Sequence, residues 1–316
     1  MCHPTLCSFG EEKVGQFKVA LLVCERIPPW IRVKIPAVGM LRRVESTLRN
    51  LSLTTVCESA LCPNRNSCFS RGTATFMILG SVCTRNCPFC AVSKGRPEPV
   101  DESEPERVAE AVKRLDLKHV VITSVDRDDL PDKGASHFAA TVKAIRRSKP
   151  DATIELLVPD FCGSKEAIDL VLEAKPTILN HNLETVRRLH PIIKPKSDYD
   201  RSLWLLKYAK DKTPNLLTKS GLMVGLGETD EEVLEAMRDI RNTGCDIITI
   251  GQYLKPPNSR LEVKRYVKPE TFERFRESAE QMGFAFVASA PLVRSSFNAF
   301  EIIQHLKKGV KIAHFG

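Results

Sequence analysis

The residues that carry the most chemistry are Cys83-Thr84-Arg85-Asn86-Cys87-Pro88-Phe89-Cys90, three thiols at spacing C-x3-C-x2-C directly after the apolar, strand-like run TATFMILG at 73–80. A short loop with cysteines this close folds round one inorganic centre and offers it several soft thiolates. Zinc and iron–sulfur clusters are the natural occupants. A closed zinc site takes four ligands, usually as two C-x2-C-type pairs. Here there are three thiols, with no fourth Cys or His nearby downstream. Three thiolates on a four-iron cluster leave one iron with an open position, as a cluster that binds a substrate or cofactor directly requires. Phe89, just before the last Cys, helps to screen such a cluster from water. A closed zinc or ferredoxin-type loop is the alternative, because spacing alone does not exclude other ligation.

A second group lies upstream, Cys57, Cys62 and Cys68 at spacing C-x4-C-x5-C, again without a fourth ligand. A zinc knuckle completed from elsewhere is the alternative here. Only fourteen residues separate Cys68 from Cys83, which brings two cluster-sized centres close to the mouth of one fold.

The chain has 316 residues with 42% apolar content, enough for a substantial core, and eleven cysteines. No run approaches the ~18 consecutive apolar residues of a membrane span. The N-terminal stretch holds a short apolar run, VALLVC, but acidic residues precede it and no small-residue cleavage site follows, so it reads as neither a secretory signal nor a transit peptide. That many thiols without a secretory signal imply a reducing, cytoplasmic setting and metal ligation, not a disulfide framework. Cys2, Cys7, Cys24, Cys162 and Cys245 are scattered and most read as buried or inert thiols, with Cys162 an unusual thiol near the expected site face. The net charge of +8 suits an anionic partner surface. Lys and Arg are spread along the chain and aromatics are 6%, so neither a nucleic acid nor a membrane is expected as a partner.

Elements must hold these loops in place. The first thirty-odd residues show no clear period and end in the proline-punctuated segment Pro28–Pro36, which reads as extended chain. A helix follows over 40–50. From Thr73 the chain alternates: strand-like runs at 73–79, 117–123, 153–158, 177–181, 217–225 and 246–251, with a further apolar run at 284–289. Amphipathic helical stretches lie at about 105–115, 134–148, 164–174, 184–190, 198–211, 230–243 and 269–282. Thr229 with Glu232 reads as a capping box, and Pro105 and Pro269 fit first helical turns.

Such alternation implies parallel strands joined by right-handed crossovers. The expected fold class is α/β, a partial (β/α)6-type barrel, with N- and C-terminal extensions over the open face. The expected domains are 1–69 with the upstream cysteines, the barrel at 70–290, and an extension at 291–316. The cysteine loop follows the first strand and so sits at the C-terminal face, where barrel active sites assemble. A doubly wound sheet is the alternative, weakened by the lack of a Gly-rich dinucleotide fingerprint.

Polar residues at strand ends line the site on this reading. They are the charged loop Thr123–Leu130 with Ser124, the stretch Pro159-Asp160-Phe161, and the turn Asn180-His181-Asn182-Leu183-Glu184. A solvated surface loop is the alternative for the first, and a helix N-cap for the last. Gly221 to Glu228, GLMVGLGE, brings Gly225 and Glu228 to the end of the fifth strand. Far downstream, Arg294-Ser295-Ser296-Phe297 stands in a polar break; two adjacent serines are most simply a turn or N-cap.

The C-x3-C-x2-C triad with Phe89 resembles the signature of radical S-adenosylmethionine (SAM) enzymes, and GLMVGLGE is similar to their G-x-I-x-G-x-x-E pattern with Met223 in the isoleucine position. With both triads present, the chain resembles the lipoyl synthase family over about 28–300, through GTATFMILGSVCTRNCPFC, VVITSVDRDDL, NHNLETV, KSGLMVGLGET and GQYL. The resemblance implies a SAM-reducing 4Fe–4S cluster on Cys83, Cys87 and Cys90, and an auxiliary 4Fe–4S cluster on Cys57, Cys62 and Cys68. Ser296 stands where the family has the auxiliary cluster's fourth ligand, and Arg294 is a candidate for steadying that region. Ser124, Asn182, Glu184, Gly225 and Glu228 would contact SAM. The implied reaction inserts two sulfurs, at C6 and C8 of an octanoyl-lysine on a carrier protein, with the auxiliary cluster as donor. Implied partners are an octanoylated lipoyl carrier (the lipoyl domain of a 2-oxoacid dehydrogenase E2 or the glycine-cleavage H protein), a low-potential electron donor and a cluster-rebuilding carrier. The alternative is a methylthiotransferase-like two-cluster sulfurtransferase, which would need a longer N-terminal domain for its cysteines. Phe297 and Asn298 depart from the family's Tyr and the common His.

Overall fold

The computed structural model of the chain describes residues 7–14, 17–24, 27–32, 38–257 and 259–296. Two compact units result, Met1–Arg32 and Val33–Gly316. In the first, Cys7–Val14 and Phe17–Cys24 pair as an antiparallel hairpin, Cys7 opposite Cys24 and Val14 opposite Phe17. This corrects the expectation of a segment without regular structure. Two eight-residue strands with two residues between them are too short to show a period against the flanking chain.

The second unit is built on seven parallel strands: β1 (Thr75–Ile78), β2 (His119–Ser124), β3 (Thr153–Leu157), β4 (Ile178–Asn180), β5 (Leu217–Val224), β6 (Ile247–Gln252) and β7 (Phe286–Ser289). Each pairs with the next in sequence, from β1 at one edge to β7 at the other. An order that never reverses is that of a singly wound barrel, not a doubly wound sheet. The run at 284–289 supplies the seventh strand, with Ile247 opposite Phe286. The strands were legible because helices cover one face and side chains fill the other, so β6 is buried at all six positions.

Helices α1 (Val38–Asn50), α2 (Val56–Ser59) and α3 (Arg65–Ser70) precede the sheet. The crossovers carry α4 (Glu104–Arg114), α5 (Ala135–Ser148), α6 (Lys165–Glu173), α7 (His190–Ile193), α8 (Tyr199–Lys212), α9 (Asp230–Asn242) and α10 (Pro269–Gln281). The capping box of α9 forms as expected, Glu232 N donating to Thr229 Oγ1 and Thr229 N to Glu232 Oε2. The helix expected at 184–190 does not form. Glu184 has φ +74° and bridges in parallel to Leu222 of β5, and a left-handed residue committed to a sheet contact cannot open a helix. Among the described residues no helix is long and apolar enough to cross a membrane.

The segment with the upstream cysteines is part of the barrel's packing. Thr55 bridges Phe76 and Met77 N donates to Thr54 O, which covers the edge of β1. Cys57 and Phe69 share one apolar cluster with Phe76 and Val44. Deeper in the sheet, Lys219 on β5 and Glu155 on β3, both 0% exposed, meet at Nζ–Oε1 2.9 Å. Asn180 Nδ2 donates to the same oxygen at 2.9 Å. Burial opposes the Glu155 charge, but Lys219 and His119 outweigh it and hold the carboxyl down at about 2. A depressed pKa stabilises the fold fully above the unfolded value of ~4.3, and the contribution fades as pH falls toward the folded one. Lys219→Met removes the lysine from that buried carboxylate and is expected to cost about 3–5 kcal/mol in urea unfolding at pH 7; a loss under ~1 kcal/mol would contradict the pairing.

Candidate active site

Leaving β1, the chain turns through Leu79 at φ +68° into the downstream cysteine loop. The loop is closed at its neck by a short parallel pairing of Val82–Cys83 with Ser93–Lys94. Inside it, Cys90 N donates to Cys87 O at 3.2 Å. Phe89 packs against the apolar cluster of the β5–β7 side, and Ser259 Oγ donates to Pro88 O at 2.7 Å. The loop after β2 is laced to it. Thr84 donates to Asp126 O from N and from Oγ1, and Asp128 N donates to Thr84 Oγ1.

Burial pushes the Cys83 and Cys87 thiols up to about 12, with the neighbouring Asp126 charge adding to the effect. Burial also raises Cys90. In the upstream group burial takes Cys57, 7% exposed, to about 12, and the charges of Cys62 and Cys68 act in the same sense. Burial raises Cys68 too, with Arg71 opposing. Cys57, Cys68, Cys83, Cys87 and Cys90 are therefore protonated thiols until iron displaces the protons. Within each triad the thiols feel one another's charge. Among the described residues no three His, Cys, Asp or Glu side chains converge as ligands of a single ion do; cluster ligands each take a different iron. All-sulfur triads held side by side fit iron–sulfur clusters.

At the strand ends, the buried Ser124 Oγ, His181 Nε2 and Asn182 Oδ1 have no protein partner. His119 Nε2, Asn180 Oδ1, Thr185 Oγ1 and His190 Nε2 also lack a partner; buried polar atoms are mostly satisfied in folded proteins, and a bound cofactor could satisfy those at the strand ends. Glu184 is half-buried and its carboxyl is raised by burial, against the pull of Lys194. Gly225 and Glu228 engage each other: the Glu228 carboxylate accepts from Gly225 N at 2.6 Å and Leu226 N at 2.8 Å. Gly225 has φ +98°, and a Cβ there would collide with Gln252 Nε2 and Arg265 O. This pair fixes the turn after β5 and lies apart from the cysteine loop's own hydrogen bonds.

The chain after β7 crosses the same face. Gln252 N donates to Pro291 O at 3.2 Å, and Asn64 Nδ2, between Cys62 and Cys68, donates to Leu292 O at 2.7 Å. A Cβ on Gly251 would run into Val293 O. Asn182 Nδ2 donates to Ser295 Oγ at 2.6 Å. Burial lowers the Arg294 pKa, and the charge of Cys62 in the upstream triad opposes this. Ser296 is half-buried, one residue beyond this tether. Phe297 and Asn298 lie outside the described residues.

Of three further participants, Asp126 and Asp160 lie in stretches expected to line the site, and Lys194 was not anticipated. Asp126 Oδ2 accepts from Cys83 Sγ at 3.4 Å. Lys194 Nζ donates to Asn182 O at 2.9 Å, and its charge acts on Cys87, Asp126 and Glu184. Asp160, 0% exposed, binds Arg85 of the cysteine loop. The charged loop at 123–130 was a signal for the first; Lys194, in a Lys-Pro-Lys run, offered none.

Comparison with known proteins agrees with this geometry. The radical SAM superfamily pattern matches residues 77–240, and that of the N-terminal domain of lipoyl synthase of the radical SAM family matches residues 10–62. The chain is 58% identical over 274 residues to a lipoyl synthase of Caldanaerobacter subterraneus subsp. tengcongensis, covering 87% of this chain and 96% of the relative. It is 54% identical to one of Alkaliphilus metalliredigens, covering 89% and 97%. Among solved structures it is similar in fold to Streptococcus suis SuiB bound to S-adenosylmethionine, with TM-score 0.56 at 13% identity, covering 72% of this chain and 55% of that one.

Proposed function

The chain belongs to the lipoyl synthase family of radical SAM enzymes, and from that premise we propose which of its residues serve the reaction and which partners it meets. The activity is insertion of two sulfur atoms at C6 and C8 of an octanoyl-lysine on a lipoyl-carrier protein, with SAM and 4Fe–4S clusters as cofactors. The relatives favour this over a methylthiotransferase-like activity.

In this reading Cys83, Cys87 and Cys90 hold the SAM-reducing cluster and leave one iron for SAM. Cys57, Cys62 and Cys68 hold the auxiliary cluster, with Ser296 as its oxygen ligand and Arg294 against it. When bound, these groups supply the 5′-deoxyadenosyl radical that removes hydrogen and the sulfur that replaces it. The protein's own residues position and exclude water. Ser124 and Asn182 offer buried unpartnered oxygens to SAM. Glu184 and Lys194 flank Cys87 with opposite charges. Gly225 and Glu228 hold the turn that forms one wall. The finer partners are the lipoyl domain of a 2-oxoacid dehydrogenase E2 or the glycine-cleavage H protein, a low-potential electron donor and a carrier that rebuilds the auxiliary cluster, in the cytoplasm.

The observation that carries this reading is the pair of thiol triads, Cys57 buried and the other five half-buried, with the upstream group and the barrel face tied to one segment. Asn64 of the upstream group and Asn182 of the barrel face both bind the chain at 292–295. The test is mass spectrometry of an octanoyl-lysyl carrier incubated anaerobically with reconstituted protein, SAM and reductant. Two sulfurs in place of two hydrogens are expected. Unchanged carrier with 5′-deoxyadenosine formed would keep the radical chemistry and overturn the acceptor.

A further inference from the structure

Arg85, two residues past Cys83, is 4% exposed and engages three carboxylates. Its Nε and Nη2 grip Asp128 Oδ2 and Oδ1 at 2.9 Å each. Nη2 also reaches Asp160 Oδ1 at 2.6 Å, and Nε stands 3.5 Å from Asp126 Oδ1. One guanidinium thus ties the cysteine loop to the loops after β2 and β3. Burying a charge costs several kcal/mol before its partners repay it, and Thr84 already joins two of these loops. What the fork adds is alignment at Cys83. The backbone N–H groups of Arg85 and Asp126 both donate to Cys83 Sγ, at 3.4 Å each. Hydrogen bonds to the sulfurs are among the levers that set a cluster's reduction potential, and groups that orient ligands tune the metal nearly as much as the ligands do.

We propose, resting on the reading of Cys83 as a ligand of the SAM-reducing cluster, that Arg85 is a positioning residue. With Asp128 and Asp160 it keeps the Asp126 amide on Cys83 Sγ and so sets the potential of that cluster. N–H···S bonds favour the reduced, more negative state, so the intact clamp holds the potential above that of the same cluster without it.

The clamp's geometry and its charge pull in opposite directions in one variant, which makes the test decisive. Asp128→Asn removes a negative charge, which alone raises the potential, and loosens the fork, which lowers it. In the full-length reconstituted protein, EPR-monitored reductive titration is expected to show a lower midpoint than wild type and altered g-values. The kcat of SAM cleavage is expected to fall about 10–100-fold. Arg85→Lys, which keeps charge but not the bidentate fork, is expected to shift the midpoint the same way, and it carries the test alone if Asp128→Asn does not fold. A midpoint that rises or stays put in Asp128→Asn, or stays put in cluster-loaded Arg85→Lys, overturns the proposal. Cys83→Ala run in parallel separates the two readings. If it keeps a SAM-responsive EPR signal, the ligand assignment fails, and the clamp with it. If it loses the signal while both clamp variants match wild type, the clamp alone fails.

Discussion

Cys87→Ala reduces both SAM cleavage and sulfur insertion to the level of a protein-free control. The thiol stands in the middle of a loop closed at Val82–Cys83 and Ser93–Lys94, and the charges that act on it are those of Asp126, Lys194, Cys90 and Glu184. Two thiolates cannot hold the remaining irons in a loop whose backbone is fixed by the Asp126 and Pro88 contacts. With the SAM-reducing cluster lost, SAM has no electron source. The measurement is chromatographic detection of 5′-deoxyadenosine after anaerobic incubation with reductant. Formation at half the wild-type rate or more would remove Cys87 from the ligand set. The fold should survive, because Cys87 is only half-buried and contributes little to the apolar core.

Cys57→Ala separates the two halves of the reaction. It is expected to keep 5′-deoxyadenosine formation within a few-fold of wild type and to yield no sulfur-bearing carrier. Cys57 lies on α2, beside Cys62 and Cys68 but in a different loop from the SAM triad. Its side chain is in the apolar cluster with Phe69 and Phe76, so truncation leaves a small cavity that costs about 1 kcal/mol, too little to unfold a domain of this size. Far-ultraviolet circular dichroism and a urea transition check that point. Mass spectrometry of the carrier checks the chemistry, and dithiolated product from Cys57→Ala would exchange or void the roles of the two triads.

How much of this was legible depends on the range of the interactions involved. The cysteine spacings are local: Cys83, Cys87 and Cys90 share one short loop, and Cys57 and Cys68 lie on the successive short helices α2 and α3. β6 was readable because Ile247, Ile248 and Ile250 are enclosed on both faces. The capping box of α9 was readable because Thr229 and Glu232 answer each other within one turn. The segment after Asn182 was misread as helix because its apolar spacing is helical, while Glu184 is held left-handed by Gly221 O and Met223 N. No local pattern encodes that. The same holds for the site's supporting side chains. Asp126 lies 43 residues from Cys83, Asp160 lies 75 from Arg85, and Ser295 lies 113 from Asn182. Only the sequential order of the parallel strands brings them to one face, and the sequence places several of them at strand ends without showing which partner each one meets.

The central claim is that one triad cleaves SAM and the other surrenders sulfur to the substrate. The most direct measurement is a single turnover of protein whose clusters were rebuilt with 34S-sulfide, with unlabelled sulfide in the buffer, followed by mass spectrometry of the carrier. The expected product carries two 34S atoms, and the same preparation of Cys57→Ala gives none. Product bearing only the buffer's isotope would contradict the claim, since sulfur would then reach the carbon radical from a source other than the Cys57, Cys62 and Cys68 site.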